Sequence, residues 1–334
     1  MAENSKIEWT HHTFSPWRGC AKVHAGCKHC YAAKSPGVVL RRGGKLAWGE
    51  VWAGGERVVA SDGAWKKPMR WARAAARAGE RHRVFCASLA DVLEVPAMSP
   101  SGGFDPRTGR RLEEVVRDAR ESLDAARDRL WDVIRQTANM PTDVAADEPM
   151  SVYAGSIPPA LEGGLDWLLL TKRPWHWHLV PEDVRPLVWL GTSVSDQKTV
   201  REWMLRLLEA QGFRLRFLSV EPLLGPVDLG LMGTVPASIS PAYRPVASMI
   251  GWVIVGGESG PGARPCNAEW VRDVVRQCRE AGVPCFVKQL GAQPRSLPTY
   301  ASASGMSLRN KKGGDMAEWP EYLRVRELPE VDRG

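Results

Sequence analysis

The chain has 334 residues, 44% hydrophobic and 25% charged, the composition of an ordinary globular protein and not of a disordered or collagen-like one. No uncharged apolar run approaches the roughly 18 residues of a membrane span, and the start, Met1-Ala-Glu-Asn-Ser-Lys-Ile-Glu-Trp9, has no apolar signal-peptide core, so cytoplasm is the expected compartment. The formal charge of +7 is concentrated: residues 34–83 hold twelve Lys and Arg against four acids.

In chain order, a weak strand candidate at 7–14 precedes a cysteine-rich stretch. In the basic segment 34–83, Lys66, Arg70, Arg73 and Arg77 step by four, three and four, so a helix presents them on one face. With Trp65 and Trp71 nearby, that face suits phosphates and stacked bases of a nucleic acid or nucleotide, or else is a solvated Ala/Arg helix. Continuous apolar runs at 83–91, 166–174, 187–196, 214–222, 251–259 and 283–291 read as strands buried on both faces. Helical periodicity separates several of them: one long helix over 112–134, a second over 200–208 ending before Gly212, and a third over 270–278 with Asn267 as N-cap and Gly282 as C-terminal stop. This alternation predicts an α/β fold with a parallel sheet. Without a Gly-x-Gly-x-x-Gly turn after the first strand, the expected architecture is a partial or nearly closed parallel βα barrel in one domain, 1–291. Its expected insertions lie at 37–63, 96–110, 139–164 and 230–248, and 292–334 is expected to form a flexible or late-docking tail.

In such a barrel, chemistry belongs at the C-terminal ends of the strands. Those ends carry Ser88 and Asp91; Thr171, Lys172 and Arg173; Thr192 and Ser193; Ser219 and Glu221; Glu258 and Ser259; Lys288 and Gln289. Helix capping accounts for some of the Ser, Thr and Asp residues, but charged groups at a barrel mouth must be paired or in use.

The strongest chemical signal is Cys20, Cys27 and Cys30 within the loop 17–31. Cys27 and Cys30 form a Cys-x2-Cys pair, and Gly19 and Gly26 let the backbone bend before two of the thiols. Three clustered thiolates imply a soft-metal site. Spacing alone fits both a [4Fe–4S] cluster with one iron lacking a protein thiolate and a closed Cys3His zinc site using His24, His29, His11 or His12. Cys278 on a helix face, with Cys86 and Cys285 within strands, reads as core.

The cysteine loop, together with Ile7-Glu-Trp-Thr10, Trp167-Leu-Leu-Leu-Thr-Lys-Arg-Pro174, Phe217-Leu-Ser-Val-Glu-Pro-Leu-Leu-Gly-Pro226 and Trp252-Val-Ile-Val-Gly-Gly-Glu-Ser-Gly-Pro-Gly-Ala-Arg-Pro265, resembles an uncharacterised phage and prophage protein family from about residue 6 to 291. That family looks like a divergent branch of the radical S-adenosylmethionine (SAM) superfamily, distantly similar to photoproduct lyases. The resemblance implies a cluster held by Cys20, Cys27 and Cys30, SAM on the open iron, a 5′-deoxyadenosyl radical, an electron donor and, from the phage association and the basic segment, a nucleic acid or nucleotide substrate. By position it implies Ser88 and Asp91 for the SAM amine, Lys172, Arg173 and Lys288 for its carboxylate or a substrate phosphate, and Ser193 and Glu221 for ribose. The Gly-rich turn from Gly256 suits close approach to adenine or phosphate. Two departures stand out. The gap between Cys20 and Cys27 is six residues where the superfamily has three, and Gly256-Gly257-Glu258 follows a late strand although the superfamily's Gly-Gly-Glu follows the second. A zinc-stabilised nucleic-acid-binding protein without catalysis is the alternative, and a barrel hydrolase using Glu221 or Glu258 a third reading.

Overall fold

The computed structural model describes residues 2–34, 49–106, 108–140, 163–240, 242, 244–296 and 306–330, with the Trp52 side chain excepted. Seven parallel strands form one sheet: β1 (His12–Phe14), β2 (Arg81–Cys86), β3 (Gly164–Thr171), β4 (Val188–Val194), β5 (Leu215–Val220), β6 (Trp252–Gly256) and β7 (Cys285–Gln289). Each pairs with the next in chain order, and the sheet curls into a half-barrel. Four longer helices accompany it: α1 (Lys67–Arg77), α2 (Leu112–Thr137), α3 (Gln197–Glu209) and α4 (Ala268–Ala281). The β3–β4 crossover uses 3-10 turns, at Pro174–Leu179 and Arg185–Leu187.

The strands are apolar throughout because both faces are covered. Phe85, Leu168, Trp189, Phe217, Trp252, Ile254 and Phe286 fill the concave side. Alternate positions, among them Val84, Leu169, Leu190, Leu218, Val253 and Val287, enter the larger core under the helices. Trp9 lies 4.9 Å from Phe85 and 6.1 Å from Trp252 between ring centroids, so its indole fills the interior between the two halves of the curled sheet. Asp196 caps α3, accepting from the Thr199 amide while the Thr199 hydroxyl returns a contact to the cap backbone. Asn267 caps α4, and Gly282 ends it in the left-handed conformation at φ +66°.

The first strand is shorter than 7–14, because Thr10 leaves the ladder: its hydroxyl donates to the His12 and Arg83 carbonyls. Of the polar ends, Thr171, Thr192, Ser193, Ser219, Lys288 and Gln289 belong to the strands, whereas Ser88, Asp91, Lys172, Arg173, Glu221, Glu258 and Ser259 follow them in loops at the barrel mouth. Trp65 and Trp71 are buried and cannot stack bases: Trp71 lies parallel to His12 at 4.4 Å, and Trp65 packs edge-on against Phe14. Of the predicted insertions, 37–48 and 141–162 lie outside the described residues, as do 297–305 of the predicted tail. The remainder of the first insertion places Val58–Val59 antiparallel to Trp17–Arg18. The later tail docks on the free edge of β7, where the Val287 amide donates to the Val325 carbonyl and the Glu327 amide to the Cys285 carbonyl. Ala2 bridges Thr13 on the other edge in the same way, so both ends of the open sheet are covered. No helix among the described residues is long and apolar enough to cross a membrane.

Candidate active site in the barrel mouth

Strand parity carries the interior positions upward into a cavity at the C-terminal ends of the strands. Leu168 and Leu170 lead to Lys172 on β3, Trp189 to Ser193 on β4, Phe217 to Ser219 and Glu221 on β5, and Phe286 to Lys288 on β7; Trp9 and Phe85 form its apolar base. Cys20, Cys27 and Cys30 line the same cavity, as do Ser88, Asp91, Arg173, Gly257 and Glu258. Of the residues marked in the sequence as site candidates, Gly256, Thr171, Thr192, His11, His12 and His24 do not line it.

Within the cavity wall the candidates differ in their engagements. The Asp91 carboxylate, 4% exposed, accepts from the Thr171 hydroxyl at 2.7 Å, the Lys172 amide at 3.0 Å, the Leu93 amide at 3.1 Å and Arg173 Nη1 at 3.0 Å. Arg173 is equally enclosed. Its Nη2 donates to the Ala21 carbonyl at 3.1 Å and to Glu94 Oε1 at 3.3 Å, and its Nη1 lies 3.5 Å from Cys20 Sγ. Glu94, 1% exposed, also accepts from the Ala21 amide and from Arg57 in a two-point contact at 2.7 Å each. Burial alone would lower the Arg173 pKa, but Asp91, Cys20 and Glu94 outweigh it and hold the guanidinium well above its ordinary value. Burial pushes the Cys20 thiol well up, with Glu94 adding to the rise and Arg173 opposing it.

On the far wall, Lys288 Nζ reaches Glu221 at 3.1 Å, and the Ser219 hydroxyl lies 3.3 Å from the same carboxylate. These residues sit on β5 and β7 with β6 between them. Gly256 makes the bridge possible: a Cβ there would stand 2.8 Å from Glu221 Oε1. Glu258 is held by the Arg264 amide and guanidinium at 2.7 to 2.9 Å, which keeps its carboxyl below the usual range against the opposing effect of burial. Gly257 packs its backbone against Leu290, where a Cβ would lie 2.3 Å from the carbonyl oxygen, so the close approach at this turn is to the protein's own β7 end.

The cysteine loop is strapped across the mouth at several points. Arg264 Nη1 donates to the Ala25 carbonyl at 2.9 Å, and the Tyr31 hydroxyl donates to the Ser88 carbonyl at 2.9 Å. His24 packs edge-on against Trp203 of α3, and its Nδ1 accepts from the Gly26 amide. Burial, then Lys172 and Arg264, lower its pKa to about 3, so it is neutral. His11 and His12, offered by spacing as fourth zinc ligands, lie instead on the outer side of β1 and β2. His11 Nδ1 accepts from the Arg83 amide, and His12 Nε2 is 3.1 Å from His82 Nδ1. Cys86, Cys266, Cys278 and Cys285 are buried. Trp17 is buried beside Arg127 and does not face the cavity, and Trp48 lies outside the described residues. Among the described residues no three of His, Cys, Asp and Glu converge on a single-ion site.

Sequence reasoning does not single out Glu94, Arg57 or Arg264. Glu94 carries a usable signal, an acid inside the apolar run Val92-Leu93-Glu94-Val95. Arg57 and Arg264 carry none, since their partners are set by loop paths.

Fold and site together define a protein whose parallel half-barrel opens into a cavity lined by three thiols and by paired charges. The chain belongs to the family described as "Protein of unknown function (DUF5131)", whose model matches residues 4–99 and 160–318. The match spans the cysteine loop and all seven strands, β1 and β2 in its first part and β3 to β7 in its second, and omits α2. Comparison with curated proteins and with solved structures returned no match.

Proposed function

We propose that the protein is a radical SAM-type iron–sulfur enzyme acting on a nucleotide or nucleic acid. The observation that supports this most is the meeting of Cys20, Cys27 and Cys30 with the strand-end polar residues in one cavity. The donor set fits a [4Fe–4S] cluster: three thiols line one cavity, two of them buried, with Arg173 and Lys172 on the same cavity. Held by Cys20, Cys27 and Cys30, such a cluster would pass an electron from the donor to SAM, the reductive cleavage that would supply a radical able to abstract hydrogen from substrate.

The chain's own residues bind, orient and exclude water. Lys172 directs its ammonium to an anionic carboxylate or phosphate, a role that Arg173 and Lys288 share less readily because both are already paired. Ser193, Ser219 and Glu221 offer hydroxyl and carboxylate oxygens to a ribose. Ser88 offers its hydroxyl to the SAM amine. Asp91 holds the β3 end in register for that contact through its four hydrogen bonds. Trp9 and Phe85 keep the base of the cavity apolar and dry. Lys66, Arg70 and Arg77, exposed along one side of α1, supply a phosphate-attracting surface outside the cavity. An electron donor is required as a partner.

The test is metal and sulfide analysis of protein purified without oxygen, beside Cys27→Ala. The reading expects about four irons and four sulfides per chain, lost in the variant, followed by formation of methionine and 5′-deoxyadenosine from SAM and a reductant. Stoichiometric zinc without iron sinks it in favour of a zinc-stabilised nucleic-acid-binding protein.

A further inference from the structure

The three thiols of the mouth are not held alike. Around Cys27 and Cys30, the contacts are made by backbone: the Cys27 amide donates to the His24 carbonyl and the Cys30 amide to the Cys27 carbonyl. Around Cys20, a buried charged network grips three successive groups. Glu94 Oε1 accepts from the Ala21 amide at 2.8 Å, Arg173 Nη2 donates to the Ala21 carbonyl at 3.1 Å, and Arg173 Nη1 points at Cys20 Sγ from 3.5 Å. The network is balanced before sulfur is counted: Arg57 and Arg173 face Asp91 and Glu94, and the side chains of all four are no more than 6% exposed. A buried arginine that touches a thiol after satisfying two carboxylates donates to the sulfur from a fixed direction, and the low dielectric around it makes the contact strong.

We infer that Arg173 is a positioning residue for Cys20, and that by donating to this sulfur alone among the three it sets the electron affinity of whatever iron–sulfur centre the loop carries. The inference rests on the iron–sulfur reading above and adds a regulator of it. A hydrogen bond and a positive charge at a ligand sulfur favour the more negative, reduced state and raise the reduction potential. Arg173 reaches Cys20 from the end of β3, and Glu94 and Arg57 lock its direction, so the strand that lines the cavity also tunes the centre. Asp91 belongs to the same device, since its carboxylate accepts at 3.0 Å from the same Nη1 that points at Cys20.

The experiment is an anaerobic potentiometric titration of the reduced centre, followed by electron paramagnetic resonance, on the full chain as wild type, Arg173→Lys, Arg173→Gln and the double variant Arg173→Gln/Glu94→Gln. The double variant removes one positive and one negative charge together, so the network stays balanced, where Arg173→Gln alone leaves two carboxylates facing one cation and is expected to be less stable. Iron content and circular dichroism are recorded for each. The expected result is a midpoint displaced to more negative potential in the double variant by tenfold or more in the reduction equilibrium, about 59 mV for a one-electron couple. Arg173→Lys is displaced less, because it keeps the charge and loses the two-nitrogen geometry. A double variant that folds, carries the wild-type iron content and keeps the wild-type midpoint overturns the role of Arg173 and leaves the iron–sulfur reading standing. Wild-type protein without iron overturns both.

Discussion

The mouth of the half-barrel and the outer side of its first two strands both gather titratable residues, and they organise them in opposite ways. At the mouth the groups are ionised and paired: Arg173 with Asp91 and Glu94, Lys288 with Glu221, Arg264 with Glu258. Asp91, Arg173, Glu221, Lys288 and Glu258 line a cavity, and Glu94 and Arg264 hold their partners from outside its lining. Behind β1 and β2, burial keeps His11 and His12 neutral, and both face His82. His82 Nε2 lies 3.0 Å from the Glu80 carboxylate and its Nδ1 3.1 Å from His12 Nε2, while His12 Nδ1 is buried without a partner. His11 stacks on His82 at 4.8 Å and His12 on Trp71 at 4.4 Å. One region holds charge in place around a space; the other excludes charge to close a seam. The difference separates charged residues gathered at a cavity from histidines packed in a seam, although both groups look alike in the sequence.

The largest break in this contrast is Glu94→Ala. It removes the carboxylate shared by Arg57 and Arg173 and leaves two cations with side chains 2% and 6% exposed facing Asp91 alone. Breaking a buried pair from one side costs about 3–5 kcal/mol. Urea unfolding should show that loss, and Glu94→Gln, which keeps the acceptor oxygen for Ala21, should recover part of it. A loss below about 1 kcal/mol, the range of an exposed pair, would mean the network is solvated and does not grip the cysteine loop.

The histidine seam makes the second prediction, through pH. Burial first, then Arg83 and His82 for His11, and His82 and His11 for His12, lower both from 6.5 to about 4. Between those values the unfolded chain binds protons that the folded chain does not, so stability falls as pH drops from 6.5 toward 4 and levels off below it. Each histidine contributes a slope of up to about 1.4 kcal/mol per pH unit within the window. His12→Phe keeps a ring against Trp71 and should flatten the fall. Unfolding curves at pH 7, 5.5 and 4.5 for both proteins decide it; an unchanged slope in the variant would place the acid sensitivity elsewhere.

The third prediction sits on the far wall. Gly256→Ala puts a Cβ 2.8 Å from Glu221 Oε1 and 3.1 Å from the Gln289 carbonyl, so the Glu221–Lys288 bridge must open. Overpacking of this kind costs about 1–3 kcal/mol. On the proposed function it should also weaken SAM binding as Glu221→Gln does, with no further loss in the double variant. Additive losses would separate the glycine from the bridge.

How much of this was legible follows from what each feature depends on. The strands were readable because continuous apolar runs need cover on both faces, α3 because its apolar period stops before Gly212, and α4 because Asn267 and Gly282 mark its ends. The convergence of Lys172, Ser193, Glu221 and Lys288 was readable from their place after those runs, since parallel strands bring their ends together. Which of them is free and which is tied was not. The attachment of Asp91 to Arg173, and of Glu258 to Arg264, depends on loop conformation, which no period in the sequence encodes. The buried Trp65 and Trp71 mislead for a related reason: on an Ala-rich helix the aromatic face looks available until the sheet beneath it is known.

The smallest expected effect distinguishes surface from site. Arg70 is exposed and, among the described residues, pairs with Glu3 at 2.5 Å, with side chains 64% and 48% exposed. Arg77 is exposed about two turns further along the same face of α1. Replacing either with Ala should leave stability within about 1 kcal/mol, the worth of an exposed pair. If α1 holds phosphates of a nucleic acid substrate, each replacement should lower the slope of log affinity against log salt by about 1 while leaving sequence preference untouched, because phosphate contacts position and carry no base information. Filter binding of a single-stranded and a duplex oligonucleotide across a salt series reads this directly. An unchanged slope in both variants would make the α1 face a solvated surface and leave the mouth, with Lys172 as its unpaired cation among the described residues, as the place where the substrate's phosphate is met.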